Sequence, residues 1–140
     1  MWALVFPSTS PLCFRGCEHQ GSFIHIWWSC PRIRSFWNKI FHLIRQVTNL
    51  QVPQTPHVTF LHDFPRTYPR SLSTLLFFML LGAKLTLAKS WKQPSVSLTA
   101  AKRKISWIMA QEKMVAIFQD RLAKFEAVWD PWAQYLHITL

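Results

Sequence analysis

The chain has 140 residues, half of them hydrophobic, which suits one domain with a buried core. Sixteen lysines and arginines against six acidic residues give a net charge of +10, and eight Trp and eleven Phe make the chain strongly aromatic. This balance favours a polyanionic partner, either nucleic acid or an anionic membrane surface, whereas three glycines exclude the loops that cradle nucleotide phosphates.

Residues 1–12 contain two prolines among serine and threonine, which indicates a loop. No secretory signal peptide is expected, because the N-terminus lacks a basic segment and Pro7 interrupts its apolar stretch. The three cysteines are an odd number confined to one segment, unlike the framework of a secreted disulfide-rich domain. We therefore expect an intracellular location, either nuclear or cytoplasmic.

Residues 13–48 are expected to form a metal-binding knuckle followed by a helix. The spacing C-x3-C-x7-H-x4-C supplies four candidate ligands, Cys13, Cys17, His25 and Cys30. Three thiolates and one imidazole would close a tetrahedral zinc site. His19 is a competing ligand, and the alternative is that the cysteines are ordinary buried thiols. The β-branched and aromatic segment Ser22–Trp28 predicts a short strand that carries His25.

Helix A should begin at Pro31, a favoured first helical position, and run to about Val47. Its apolar residues recur along one face, namely Ile33, Trp37, Ile40, Ile44 and Val47. Residues 49–69 contain four prolines and are expected to form a connector, with one short strand at Val58–Leu61.

Residues 70–140 are predicted to be helical, so the fold should be mainly α. Helix B, from Arg70 to Trp91, is apolar nearly all round its middle and should lie centrally in the core. Its uninterrupted apolar run is short of the roughly 20 residues that a membrane span needs, so a membrane role is not favoured. Helix C should begin near Ser97 or Thr99 and continue to Trp129. Its apolar spacing near 3.5 favours packing against helix B, with self-association as the alternative.

Basic residues alternate with aromatic residues around the knuckle, and a basic triplet opens helix C. Cations follow phosphates while aromatic rings stack on exposed bases. The candidate nucleic-acid-binding residues are Arg15, Trp27, Trp28, Arg32, Arg34, Lys39, Lys102, Arg103 and Lys104. The competing interpretation places these rings in the core and the triplet on a solvated helix face.

The sequence contains no nucleotide-binding loop, no closely spaced pair of carboxylates and no nucleophile elbow. A zinc ion with four protein ligands also lacks the open position that catalysis requires. We therefore expect no enzymatic activity and no small-molecule substrate, and one structural zinc ion as the cofactor.

The knuckle resembles a known domain in the runs Cys13-Phe14-Arg15-Gly16-Cys17, Gly21-Ser22, His25-Ile26-Trp27-Trp28-Ser29-Cys30-Pro31 and Phe36-Trp37. These runs are similar to the zinc-binding domain at the C-terminal end of LINE-type non-LTR retrotransposon reverse transcriptases, and residues 88–94 and 105–108 resemble the rest of that tail. Phe14, Glu18 and Ser22 depart from the usual Trp, Gly and Thr, and none of them is a candidate ligand.

The resemblance implies the metal set Cys13, Cys17, His25 and Cys30, and a non-catalytic tail that holds RNA template or target DNA for its parent polymerase. The endonuclease and polymerase domains of that family have no counterpart in these 140 residues. The expected partner is RNA or single-stranded DNA. The alternatives are a protein-interaction or scaffolding tail, a membrane-associated peptide and a remnant of a mobile element without a selected role.

Overall fold

The computed structural model describes residues 12–13, 15–17, 20–93 and 95–140, so most of the predicted loop 1–12 lies outside the described residues. The described chain is mainly helical, as predicted. Its helical segments are α1 (His25–Ser29, one π-helical turn), α2 (Pro31–Thr48), α3 (Pro56–Leu61), α4 (Arg70–Lys89), α5 (Leu98–Phe118) and α6 (Leu122–Leu136).

The predicted strand Ser22–Trp28 is wrong, because this segment is helical and leads into α1. Its main chain is satisfied locally: the N–H of Ile26 donates to the Ser22 carbonyl over 2.9 Å, and the N–H of Cys30 donates to the His25 carbonyl over 2.8 Å. Within the described residues the only β pairing is an isolated antiparallel bridge between Leu12 and Gln20. A strand without a paired neighbour leaves its backbone groups unsatisfied, so local helical bonds prevail over β propensity.

The strand expected at Val58–Leu61 is also helical. Pro56 occupies the first turn of α3, and the Thr55 hydroxyl accepts a hydrogen bond from the Val58 N–H over 3.3 Å, which caps the helix start. The side chains of Val58 and Thr59 are buried, so α3 covers part of the core.

Helix α2 confirms the predicted helix A. The whole apolar stripe is buried, with Trp37 and Ile44 almost inaccessible. The helix ends where Asn49 adopts a left-handed conformation and its N–H donates to the Arg45 carbonyl over 2.8 Å. Its opposite face is polar and solvent-exposed, so α2 has one face in the core and a basic face toward solvent.

Helix α4 lies in the core, as predicted for helix B, and ends at Lys89 rather than Trp91. It packs most extensively against α5, and Gly82 permits the close approach because an added Cβ there would lie 2.6 Å from Ile105 Cγ1. Among the described residues α4 is also the one helix whose length and composition would suffice to cross a membrane. Core helices of soluble proteins often pass the same test, and 44% of its most apolar window is buried here.

The prediction of one long helix C is wrong, since the chain forms two helices separated at Gln119–Arg121. The turn places Asp120 at φ 55°, and α6 then packs back against α2, α4 and α5. The reversal buries Trp129 and Trp132, which are among the largest inaccessible side chains. Pro131 lies inside α6, where a proline removes one backbone hydrogen bond, and the neighbouring Trp132 is completely buried.

Candidate metal site and basic surfaces

A tight turn brings Cys13 and Cys17 together. Gly16 has φ +76°, a left-handed conformation that glycine adopts without strain, and its N–H donates to the Cys13 carbonyl over 3.2 Å. The two thiols flanking this turn can therefore face the same point.

The other two candidate ligands lie at the ends of α1. His25 is its first residue, and Cys30 follows its last residue and directly precedes Pro31, the first residue of α2. The single π-helical turn between them brings the imidazole and the thiol to the same side of the chain. The helical conformation of this segment therefore supports the site in place of the predicted strand.

The structure brings all four predicted ligands together, with their ligand atoms within 4.8 Å of one another. The Cys30 sulfur lies 3.8 Å from the Cys13 sulfur and 3.7 Å from the Cys17 sulfur. Regular tetrahedral coordination with Zn–S bonds of about 2.3 Å separates two sulfurs by about 3.8 Å. The Cys17 sulfur and His25 Nε2 are 3.1 Å apart, slightly less than the roughly 3.6 Å between a thiolate and an imidazole on one zinc ion.

The chemistry of the donor set also fits zinc. Three thiols and one imidazole are soft or borderline ligands, no disulfide joins the cysteines, and four protein ligands would close the coordination sphere. Burial, the largest cause, together with the neighbouring thiols of Cys17 and Cys30, raises the pKa of Cys13 to about 11. A bound dication would supply the positive charge that stabilises these sulfurs as thiolates.

Arg15 braces this cluster. Its side chain is buried, and Nη1 donates to the carbonyl of Ile26 over 2.7 Å, which ties the cysteine turn to α1. Because its side chain is buried, Arg15 is less open to a phosphate than the exposed cations of α2, and its role in nucleic-acid binding stays a prediction.

Trp27 and Trp28 are partly buried rather than displayed as stacking platforms. The Trp27 carbonyl accepts a hydrogen bond from Trp37 Nε1 over 2.8 Å. The Trp28 ring packs 5.4 Å from the Trp37 ring and 6.1 Å from the Phe60 ring. The geometry favours the core interpretation of this pair, in which the tryptophans attach α1 to α2 and α3.

The predicted cations of α2 lie on its exposed face. Arg32, Arg34 and Lys39 are all solvent-exposed, and the helix contains no acidic residue. Sequence reasoning missed Arg45 and His42, which lie on the same exposed face. The signal was available, because both residues fall between positions of the apolar stripe that was recognised.

The basic triplet at the start of α5 is divided between two environments. Arg103 is exposed, whereas Lys102 and Lys104 are partly buried. The Lys102 ammonium stands 5.3 Å from the centroid of the Tyr135 ring, and the Lys104 ammonium stands 4.9 Å from the centroid of the Trp107 ring. Both distances are typical of cation–π contacts.

Lys84 and His62 form a pair that the sequence did not reveal. The Lys84 ammonium lies 2.7 Å from His62 Nε2, and the imidazole packs 4.7 Å from the Phe77 ring. Burial, and then the Lys84 charge, lower the pKa of His62, and burial lowers the pKa of Lys84. Neutral His62 therefore accepts a hydrogen bond from Lys84 and joins α3 to α4.

No known protein-family model matches the chain. The assignment of the metal cluster and the basic surfaces therefore rests on their geometry and chemistry.

Proposed function

We propose that the chain is a non-catalytic, zinc-associated module that binds nucleic acid, related to the C-terminal zinc-binding domain of LINE-type reverse transcriptases. The observation that carries the proposal is the convergence of Cys13, Cys17, His25 and Cys30 at tetrahedral distances, directly before a helix with a carboxylate-free basic face. The zinc ion would hold residues 13–30 as a knuckle, and α2 would present its cations to phosphates.

Binding should be dominated by phosphate contacts and depend little on sequence, because each cation that contacts a phosphate releases counterions. The test is a titration of fluorescently labelled single-stranded RNA with the zinc-loaded protein at several salt concentrations. For single strands, the logarithm of the affinity should fall with the logarithm of salt concentration with a slope of about −0.7 per phosphate contact.

A charge-matched pair of variants locates the contact. Neutralising the α2 cations (Arg32→Gln, Arg34→Gln, Lys39→Gln) should weaken binding at low salt and reduce the slope by about 2 if all three contact phosphates. The control variant removes three charges from the mixed-charge region around the α5–α6 turn, by Lys113→Gln, Arg121→Gln and Lys124→Gln. Equal losses in the two variants would indicate a response to net charge alone, and absence of binding at low salt would refute the proposal.

A second candidate function is self-association through the C-terminal end of α5. Met114, Ile117 and Phe118 are exposed there, and Phe118 is 84% accessible, an unfavourable position for so large an apolar ring. Charges of both signs flank this apolar end, with Lys113 before it and Asp120 after it, so two copies arranged antiparallel would place opposite charges together.

Light scattering on the purified chain tests this second function. A dimer that becomes monomeric on Phe118→Ser would support it, whereas a monomer at every accessible protein concentration would exclude it. Membrane association through α4 is a third reading, and co-sedimentation with anionic vesicles would detect it.

A further inference from the structure

Trp107 is an exposed aromatic ring among cations in the first half of α5. The side chain is 55% accessible, Arg103 is exposed one turn earlier, and the Lys104 ammonium stands 4.9 Å from the indole centroid. Tryptophan usually contributes its large apolar area to a core. A ring left accessible beside two cations is therefore suited to an external ligand. We call Arg103, Lys104 and Trp107 the Trp107 surface.

The helix beneath this surface is held firmly by α6. Trp132 is inaccessible to solvent, and its Nε1 donates to the Ser106 hydroxyl over 3.2 Å. Ser106 directly precedes Trp107 in the chain. The Tyr135 ring stacks on Trp132 at 5.6 Å and also lies beneath the Lys102 ammonium. Tyr135 therefore positions Lys102 and is not itself a stacking platform. A ligand at Trp107 would meet a preorganised helix, which lowers the entropic cost of binding.

The charge around Trp107 selects a polyanion. Residues 64–111 contain eight basic residues and no acidic residue, and the carboxylates of α5 and α6 begin only at Glu112. The pairing of a cation with an indole recurs in the connection before α5, where the Lys92 ammonium lies 5.1 Å from the Trp91 ring. An apolar protein partner would instead favour the other end of α5 around Phe118, which lies among charges of both signs.

We propose that the Trp107 surface is a second contact for single-stranded nucleic acid, in which a base stacks on the indole while Arg103 and Lys104 contact neighbouring phosphates. Stacking requires an unpaired base, so the contact should distinguish single strands from duplexes. The inference rests on the proposed function, but it places this contact on α5, where none of the metal ligands lies.

The test compares three single variants of the zinc-loaded chain, with circular dichroism to verify the fold. Trp107→Ala removes the ring, Trp107→Phe keeps an aromatic face, and Phe118→Ala removes an even more exposed ring from the other end of the same helix. The probes are a labelled uridine-rich RNA strand and a labelled RNA duplex of the same length. Trp107→Ala should weaken single-strand binding about 5- to 150-fold, the range for loss of one stacked base.

The salt dependence separates stacking from charge. Trp107→Ala should lower single-strand affinity without changing the salt slope, whereas Lys104→Gln should make the slope shallower by about 0.7. Trp107→Phe should retain most of the affinity, and duplex binding should be insensitive to the ring. Phe118→Ala should bind like the unmodified protein.

Three outcomes would overturn the proposal, and each has a different meaning. If the unmodified protein binds RNA but Trp107→Ala binds equally well, the Trp107 surface is refuted while the proposed function stands. If the unmodified protein binds no RNA at low salt, both are refuted. A Trp107→Ala variant that loses binding to anionic vesicles but retains RNA binding would assign the surface to a membrane and would overturn the proposal.

Discussion

Replacing Cys30 by serine tests the metal site at its most buried position. The Cys30 side chain is inaccessible and its sulfur lies 3.8 and 3.7 Å from the other two sulfurs, so it occupies one vertex of the candidate tetrahedron. A serine hydroxyl at that vertex is a hard, poorly ionised ligand that zinc does not favour. We therefore expect one zinc ion per chain in the unmodified protein and almost none in Cys30→Ser.

Zinc binding and folding are coupled, so the stability lost with the site is set by the free energy of zinc binding. Structural zinc sites in zinc-finger peptides contribute about 10–16 kcal/mol of apparent binding free energy near neutral pH, comparable with the whole stability of an ordinary domain. The ligands lie in the short segment 13–30 that precedes α2, whereas α2, α4, α5 and α6 share a core of buried tryptophan and aliphatic side chains. Loss of zinc should therefore release the knuckle and leave most of the helical content unchanged.

The assay is metal analysis of protein purified under reducing conditions, followed by substitution with cobalt(II). A tetrahedral cobalt site with thiolate ligands gives visible absorption and a sulfur-to-metal charge-transfer band, and Cys30→Ser should weaken both. His42→Ala is the matched control, since His42 is an exposed histidine on α2 outside the cluster. Well-folded unmodified protein that takes up neither zinc nor cobalt would refute the site and leave three free thiols beside an imidazole.

Three further predictions concern the helical body. Gly82→Ala should destabilise the fold by about 1–3 kcal/mol in urea denaturation, because the new Cβ would lie 2.6 Å from Ile105 Cγ1 in the tight α4–α5 contact. Ser97→Ala should cost about 0.5–2 kcal/mol in the same assay, because the hydroxyl caps α5 by accepting an N–H over 3.3 Å, and an unchanged midpoint would contradict this role. The lowered pKa of His62 means that its contribution to stability is complete above about pH 6.5 and declines as the pH falls toward the folded-state value. His62→Gln, which retains an acceptor for Lys84, should therefore lose less stability than the unmodified protein between about pH 7 and pH 5, as measured by thermal unfolding.

Features that depend on local residue spacing could be predicted from the sequence. The apolar residues of α2 recur with the period of an α-helix, and this spacing predicted both the helix and its buried face. The four candidate ligands were found from their type and spacing, and the structure places them within 4.8 Å of one another. In both cases the residues that act together lie within a short stretch of chain, so the chain's own geometry restricts how they can meet.

Features that depend on tertiary packing could not be predicted from the sequence. The apolar spacing from Leu98 to Trp129 fits one continuous helix. The reversal at Asp120 instead buries Trp129 against Phe78 of α4 and Trp132 beside Ser106 of α5, contacts that the spacing does not encode. Likewise, His62 directly follows α3 and Lys84 lies 22 residues further on in α4, and no spacing rule predicts their contact. The β-rich composition of residues 22–28 was misleading because β propensity reflects pairing with a neighbouring strand, which this segment lacks.

In the proposed function, helix α2 would let the metal site assist binding without contacting the nucleic acid. Its apolar stripe is fixed in the core, so Arg45, near its C-terminal end, should keep its position whether or not zinc is bound. Arg32 and Arg34 instead lie in the first turn of α2, which begins directly after Cys30 and whose position the cluster would fix. Arg34 and Ile33 donate their N–H groups to the Cys30 carbonyl over 3.1 and 3.0 Å, so movement of Cys30 disturbs the first turn. The metal would therefore act on affinity by ordering the cations nearest the knuckle, and its removal should reduce the number of phosphate contacts without abolishing binding.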